Sequence, residues 1–240
     1  MAEGQLAEAK RTFEQSLVFA REIDDKDTVG YSLENLGAIA LTEDRLNDAQ
    51  ANTQGALSVR EQMKDSARAA ESRLQLAQVA LEKGSPAEAE SMARDAADAF
   101  EKQKAIADSS ECHAFLARVL LLQGKIAQAR TDADRALSLA RQSGDVMASL
   151  HARLATQAIQ AASAKPQSAT QGFQAIDRDA THYGYTGIVL EAQLNIGQLL
   201  QRSANPSQGR TRLEQLRNDA RNKGFLLIAR KADAALSSPR

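Results

Sequence analysis

Six short segments of this 240-residue chain recur at one fixed interval, and each ends on a small residue. They are GQLAEA from Gly4, DRLNDA from Asp44, GSPAEA from Gly84, GKIAQA from Gly124, AKPQSA from Ala164 and ANPSQG from Ala204. Their last residues are Ala9, Ala49, Ala89, Ala129, Ala169 and Gly209, in register without an insertion. A fixed period of roughly 20–50 residues is the signature of a repeat protein, in which each unit buries its apolar face against its neighbours. The chain is therefore predicted to be an array of 40-residue units.

Each unit is predicted to contain two α-helices, because its apolar residues recur three and four positions apart, on one helix face. One apolar column reads Leu36, Leu76, Leu116, Thr156, Ile196 and Leu236, and a second reads Ile39, Val79, Val119, Ile159 and Leu199. A small-residue column beside them reads Gly37, Ala77, Ala117, Gln157 and Gly197, with Gln157 as its exception. Pro86, Pro166 and Pro206 stand near the start of the second helix of their units, where a missing N–H removes no intrahelical bond.

The predicted fold is all-α: a right-handed α-solenoid of antiparallel helix pairs that occupies residues 1–240 as a single repeat domain. It has about five and a half repeats, because residues 1–24 supply only the second helix of an incomplete repeat. The predicted helices cover residues 5–22, 28–42, 45–62, 66–82, 86–103, 107–122, 125–142, 146–162, 166–182, 187–202, 206–222 and 225–236. The last helix is expected to cap the array, with its Lys and Arg side chains facing solvent.

The composition fits a folded helical protein. Hydrophobic residues make up 43% of the chain, aromatic residues only 4%, and there is no Trp. No run of about 18 apolar residues could span a membrane, and no basic segment followed by an apolar one marks a signal peptide. The single cysteine, Cys112, cannot form an internal disulfide. These features favour a cytoplasmic location.

The two halves of the chain differ in charge. Residues 1–120 hold 14 Lys and Arg against 22 Asp and Glu, whereas residues 121–240 hold 16 against 9. We interpret this asymmetry as drift on solvated faces; the alternative is a head-to-tail contact, or a basic end that meets an acidic partner. Nucleic acid is not an expected partner, because the basic residues of 201–240 are not interleaved with aromatic ones.

The chain resembles the tetratricopeptide repeat family in two parts of that family's pattern. The Leu-Gly part is matched by Leu36-Gly37, Leu76-Ala77, Leu116-Ala117-x-x-Leu120 and Ile196-Gly197-x-x-Leu200, and the Ala-x3-Phe part by Ala9-x3-Phe13 and Ala169-x3-Phe173. Elsewhere the Phe is replaced by Thr53, Ala93, Ala133 or Leu213, and the leading Trp by Leu33, Arg73, His113, Arg153 or Gln193. The resemblance covers essentially the whole chain and implies a superhelix with a concave groove.

The 40-residue unit is similar to the long-helix variant of this family found in polarity adaptors and bacterial regulators. The closing segment 224–236, GFLLIARKADAAL, resembles the end of arrays that follow a kinase or winged-helix domain in bacterial signalling proteins. The chain is thus expected to be a fragment of a larger protein. Alternatively, its unpaired N-terminal helix packs on another chain, which would produce self-association.

The sequence offers little for catalysis or for metal binding. Cys112 and His113 are adjacent, and adjacent helical residues point about 100° apart, so they do not converge. Cys112 also stands in a column of small residues and is expected to pack in the core. The acidic run at 22–27 lacks the Gly and the final Glu of a calcium loop, and no phosphate-binding or HExxH motif occurs. We therefore expect neither an enzyme, nor a cofactor, nor a metal site.

A partner is expected on the inner face of the first helix of each pair, opposite the face that packs on the second helix. Transposing that face by one repeat length at a time predicts a groove of mixed polar character. Its residues are Tyr31, Glu34, Asn35, Glu71, Gln75, Gln78, Glu111, Phe115, Arg118, His151, Glu191, Asn195 and Gln198. The amides and carboxylates suit an extended peptide backbone or basic side chains, and Phe115 beside Arg118 is the predicted anchor.

The predicted function is that of a non-enzymatic interaction scaffold that binds a peptide or protein segment in the groove. The alternative is a sensor module that binds a small molecule or a short signal peptide and controls an attached output domain. A deep closed pocket would favour the sensor, and an open groove would favour the scaffold. Tetratricopeptide proteins that clamp a terminal carboxylate use Lys, Asn and Arg in this stripe, whereas positions 31, 71, 111 and 191 here are Tyr or Glu. A basic or neutral peptide is therefore the predicted ligand.

Overall fold

The computed structural model describes residues 3–163, 166–202 and 206–237, which form twelve α-helices. The helices are α1 (Glu3–Glu22), α2 (Lys26–Thr42), α3 (Leu46–Gln62), α4 (Ser66–Glu82), α5 (Pro86–Gln103), α6 (Ile106–Leu122), α7 (Ile126–Ser143), α8 (Val146–Ala162), α9 (Pro166–His182), α10 (Thr186–Gln201), α11 (Pro206–Asn222) and α12 (Leu226–Ser237). Every helix begins and ends within two residues of its predicted bounds. The all-α repeat fold is confirmed.

A common turn follows most of the helices at a regular spacing. Residues with positive φ occur at Asp24, Asp44, Lys64, Gly84, Lys104, Gly124, Gly144, Gly184 and Gly224. In most of these turns the next N–H donates to the carbonyl five residues earlier, as from Asp25 to Ala20 at 2.8 Å and from Lys125 to Leu120 at 2.9 Å. This is the Schellman arrangement, which satisfies carbonyls at a helix end. Each repeat therefore consists of two halves of equal length with a common turn.

The small residue that ends each six-residue segment lies where two helices of a pair approach most closely. Ala49, Ala89, Ala129 and Ala169 have no exposed surface. At Gly209 an added Cβ would lie 2.2 Å from the backbone nitrogen of Gln201, so that even alanine is too large there. The strict column of small residues is therefore a requirement of backbone contact.

Gln157, the exception in the second small column, is accommodated by a glycine on the next helix. A Cβ added to Gly172 of α9 would lie 2.2 Å from both Cδ and Oε1 of Gln157. The Oε1 atom of Gln157 is buried and accepts no hydrogen bond from the described residues. A larger residue on α8 is thus matched by the absence of a side chain on α9.

The first helix of each pair lies on the inside of a curve. Each of the helices α2, α4, α6, α8 and α10 directly contacts the next even-numbered helix. Within the described residues, successive odd-numbered helices make no comparable contacts, so these lie on the outside. We call the even-numbered helices α2 to α12 the inner helices, and the others the outer helices.

The curve brings the two ends of the array together. Helix α12 contacts α2 as well as α10 and α11. Leu6 and Ile39, from the first two helices, share an apolar cluster with residues of the last three, among them Leu213, Phe225 and Ala229. The array therefore meets itself after one turn.

This closure corrects two expectations about the ends. The N-terminal helix, expected to be unpaired within the chain, is covered at Leu6 by the last helices of the same chain. Leu6 is 4% exposed, whereas Phe19 and Ile23 near the other end of α1 are about 60% exposed. The Lys and Arg side chains of α12 do not simply face solvent, since Arg230 and Lys231 form ion pairs with Asp44 and Glu82. The geometry of a single repeat requires neither the cover over Leu6 nor these ion pairs. Both result from the curvature of the whole array.

Candidate ligand-binding groove

One residue per inner helix, at the column of position 31, faces the concave side. The column reads Tyr31, Glu71, Glu111, His151, Glu191 and Lys231. Ion pairs within it and across it show that these side chains share one space: Arg118 of α6 lies 2.8 Å from Glu191 of α10, although α8 stands between these two helices in the array. His151 Nδ1 lies 3.7 Å from Oε1 of Glu111. The structure thus brings several of the predicted groove residues together.

Glu191 is the neutralised centre of this group. Burial opposes its ionisation, but the positive charges of Arg118, Lys231 and His151 outweigh burial and lower its pKa. A half-buried carboxylate that remains ionised in this way needs its cations nearby. Arg118 therefore has a structural role inside the groove in addition to any contact with a partner.

A second group of carboxylates in the groove is only partly compensated, because the nearby arginines lower the pKa of two of them by less than burial and neighbouring carboxylates raise it. Glu34, Glu71 and Asp108, which we call the acidic strip, lie on α2, α4 and α6, and none forms an ion pair with another described residue. Burial raises the pKa of all three, and a neighbouring carboxylate raises each further: Glu71 for Glu34, Asp108 for Glu71, and Glu111 for Asp108. The pKa of Glu34 reaches about 7. The strip is therefore electrostatically suited to a positively charged group.

Glu34→Gln is expected to raise the free energy of unfolding at pH 8 by about 1 kcal/mol. The pKa shift alone would correspond to about 3 kcal/mol, but the partial exposure of Glu34 reduces that figure. Because the folded-state pKa lies above the ordinary value, ionised Glu34 destabilises the fold, and its protonation restores stability as the pH falls from about 7 towards 4.5. Urea titrations of wild type and Glu34→Gln between pH 8 and pH 4.5 measure the difference in their free energies of unfolding.

The advantage of Glu34→Gln should shrink as the pH falls and nearly vanish at pH 4.5. Glu88→Gln, on the exposed side of outer helix α5, is the matched control and should show no such trend. If the free energies of unfolding of wild type and Glu34→Gln differed by the same amount at every pH, the raised pKa of Glu34 would be contradicted.

Two of the predicted groove residues belong to the packing between repeats instead. Phe115 is 6% exposed and lies in the apolar cluster of α4, α5 and α6, so it cannot serve as an exposed anchor. Gln75 is buried, and its Nε2 donates to the backbone carbonyl of Glu34 at 3.1 Å. Inner helices in direct contact bury the flank of the stripe that faces the preceding helix, and this correction could not be read from a single helix.

The remaining predicted groove residues are accessible but differ in what they can offer. The Asn35 amide donates to the carbonyl of Tyr31 at 2.8 Å, and the Asn195 amide donates to that of Glu191 at 2.8 Å. Gln78 lies one turn after Gln75 on α4, Gln198 lies one turn after Asn195 on α10, and both are half-buried. The Tyr31 ring is exposed and makes an edge contact with Phe13 at 5.8 Å between centroids. The groove thus combines one aromatic ring with amides and carboxylates.

Arg60 and its surroundings were missed by the sequence analysis. Arg60 lies in a column otherwise made of Ala20, Phe100, Ala140, Ala180 and Ala220, and its side chain is fully buried. It binds Asp27 at 2.7 Å, and Gly30 makes room for it, since a Cβ there would lie 2.8 Å from Cζ of Arg60. The available signal was the pairing of a large residue in that column with a glycine on the preceding inner helix.

The side chains of Cys112 and His113 lie in different surroundings. Cys112 is completely buried, as expected, and burial raises the pKa of its thiol. His113 Nδ1 instead lies 2.8 Å from a carboxylate oxygen of Asp132 on the neighbouring α7. In the acidic turn, Asp25 caps α2 by accepting the N–H of Thr28. Within the described residues, no group of three His, Cys, Asp or Glu side chains could hold a metal ion, and no helix is long and apolar enough to cross a membrane.

No family model and no curated protein matches the chain, but solved structures do. A Rap protein complexed with competence and sporulation factor has a TM-score of 0.71 and 14% identity, over 92% of this chain and 67% of that one. A Rap conjugation gene regulator of a plasmid, in complex with the Phr* peptide, has a TM-score of 0.66 and 13% identity, over 84% of this chain and 56% of that one.

A third similar structure is a signal transduction ATPase with numerous domains from Pyrococcus horikoshii, which has a tetratricopeptide repeat sensor. It has a TM-score of 0.62 and 12% identity, over 95% of this chain and 36% of that one. At such low identity the likeness concerns the fold alone. The chain has the fold of tetratricopeptide-type repeat proteins, an all-α solenoid of helix pairs.

Proposed function

We propose that this chain is a non-enzymatic module that binds a peptide or protein segment in its concave groove, as part of a larger bacterial signalling or regulatory protein. The acidic strip carries the proposal. None of its three carboxylates forms an ion pair with a described residue and the pKa of each is raised, whereas the protein's own cations lower the pKa of Glu191, farther round the same groove. A ligand that supplies positive charge would remove the repulsion within the strip.

The chemistry of the groove favours a basic, extended peptide. Lys and Arg side chains make charge-assisted hydrogen bonds to carboxylates, which are stronger than neutral ones. The exposed ring of Tyr31 lies in the same repeat column as Glu71, one repeat earlier, and offers a stacking surface to a guanidinium. Two of the similar structures contain a bound peptide or factor, which supports the use of this fold for such ligands.

Selection from a random peptide library tests the proposal. Wild-type protein is expected to enrich peptides rich in Lys and Arg, and Glu71→Gln/Asp108→Asn is expected to weaken their binding at least about tenfold, equivalent to about 1.4 kcal/mol. Glu88→Gln/Asp95→Asn on outer helix α5 removes the same charge from the convex side and should bind like wild type. Enrichment of neutral or acidic peptides, or equal weakening by both pairs of substitutions, would contradict the proposal.

A sensor module that controls an attached output domain is the second candidate. The meeting of α12 with α2 favours it, because a ligand inside a closed turn can change the contact between the two ends. In that case a bound ligand changes the dimensions of the whole protein. Small-angle scattering with and without a selected peptide distinguishes the sensor from a rigid scaffold.

A further inference from the structure

The contact that closes the array includes charged side chains from opposite ends of the chain. The Arg230 guanidinium lies 2.8 Å from Asp44 and 3.3 Å from Glu82, and Lys231 Nζ lies 2.5 Å from Glu82. Asp44 belongs to the turn between α2 and α3, and Glu82 ends α4. The acidic first half and the basic last helix of the chain therefore meet within one molecule.

The apolar part of this contact joins the first two helices to the last three. Leu6 of α1 packs against Gly224, where an added Cβ would lie 3.3 Å from Leu6 Cδ1. Ile39 of α2 joins the same cluster of Phe225 and Ala229. Gly224 also has a φ of 78°, so both the turn and the approach of Leu6 favour glycine at this position.

This contact differs from every interface between neighbouring repeats. In a solenoid each unit is stabilised by its immediate neighbours, so separation of the two ends unfolds no repeat. The side chain of Arg230 is about half-exposed, whereas those of Asp44 and Glu82 are 22% and 13% exposed, so water and salt reach these ion pairs from the arginine side and partly screen them. The closing contact can therefore open while all helix pairs stay intact.

We propose that α12 is a latch, which closes the solenoid through Arg230 and Lys231 and opens reversibly to widen the groove. The link to a ligand rests on the function proposed above; the opening itself does not. Lys231 stands in the column of groove residues and acts on Glu191 as well as on Glu82. A basic ligand that extends from the acidic strip to Glu191 competes with Lys231 for that carboxylate. Ligand binding then weakens latch closure, and closure weakens ligand binding by the same free energy.

Electron–electron distance measurements between two spin labels test the latch. The labels are placed at the exposed residues Ala51 of α3 and Gln215 of α11, in a Cys112→Ala background of the full chain. Arg230→Glu/Lys231→Glu is expected to shift the distance distribution to longer values. Adding Asp44→Lys/Glu82→Lys to that variant restores opposite charges across the contact and should return the distance distribution to shorter values.

Arg141→Glu/Arg178→Glu is the control variant, because it makes the same change of charge at exposed sites on α7 and α9. Its distances should equal those of the labelled background. Unchanged distances in Arg230→Glu/Lys231→Glu would overturn the latch. If that variant fails to fold, the labelled background at about 1 M salt gives the decision: longer distances support the latch, and unchanged distances overturn it.

A labelled hexa-arginine peptide then separates the latch from the proposed function. Tighter binding to the opened Arg230→Glu/Lys231→Glu variant than to wild type, once the control variant has accounted for net charge, supports both. A distance shift without any peptide binding leaves the latch in place and contradicts basic-peptide binding. Peptide binding without any distance shift contradicts the latch alone.

Discussion

Replacing Phe173 with alanine is expected to destabilise the fold by about 3–5 kcal/mol, the usual cost of emptying a phenylalanine site in a core. The ring has no exposed surface and packs in the cluster that joins α8, α9 and α10, with Leu150 and Ile196 among its neighbours. The site cannot collapse easily, because Ala169, one turn earlier on α9, already holds the helices in close contact. Denaturation in guanidinium, followed by circular dichroism, measures the loss.

Phe19→Ala is the matched control for Phe173→Ala. Phe19 is also a helical phenylalanine, but it is 63% exposed on α1, so its removal should change the free energy of unfolding by no more than about 0.5 kcal/mol. Because solenoids can lose repeats one at a time, the signal should be fitted for a possible intermediate. Equal losses for the two variants would contradict the assignment of Phe173 to the core.

Ala129→Leu is expected to cost about 1–3 kcal/mol, although leucine is an excellent helix former. Ala129 has no exposed surface and lies in the closest approach of α7 to α6, where the cluster is made mainly of alanines. A side chain with three additional carbon atoms would have to push the helix pair apart. Such a change would be passed on to the contacts with α5 and α8 as well.

Ala127→Leu tests whether the cost comes from crowding. Ala127 lies two residues earlier on the same helix and is exposed, so leucine there should be nearly neutral. A thermal melt of the two variants beside wild type is sufficient. If Ala129→Leu had the same melting temperature as wild type, close backbone contact would not explain why the repeats keep a small residue at the position of Ala129.

The groove could be predicted in part. Glu71, Glu111, His151 and Glu191 follow from transposing one helix face by the repeat length, and the structure places them on the inner helices. The burial of Phe115 does not follow from that transposition, because whether an inner residue is open or covered depends on how the preceding helices pack against it. Asp108 was not selected, since it lies one turn before the predicted stripe.

The repeat architecture follows from the spacing of residues along the chain. Helix number, helix bounds, the common turn and the small-residue columns are local properties or repeat at a fixed period, so they can be read from spacing alone. The small rotation of each repeat relative to the one before it cannot be read from the sequence of a single repeat, and these rotations add up along the array. Three features therefore depend on the tertiary packing. They are the return of α12 to α2, the ion pairs of Arg230 and Lys231 with Asp44 and Glu82, and the contrast between Glu191, whose pKa is lowered, and the acidic strip, whose pKa values are raised.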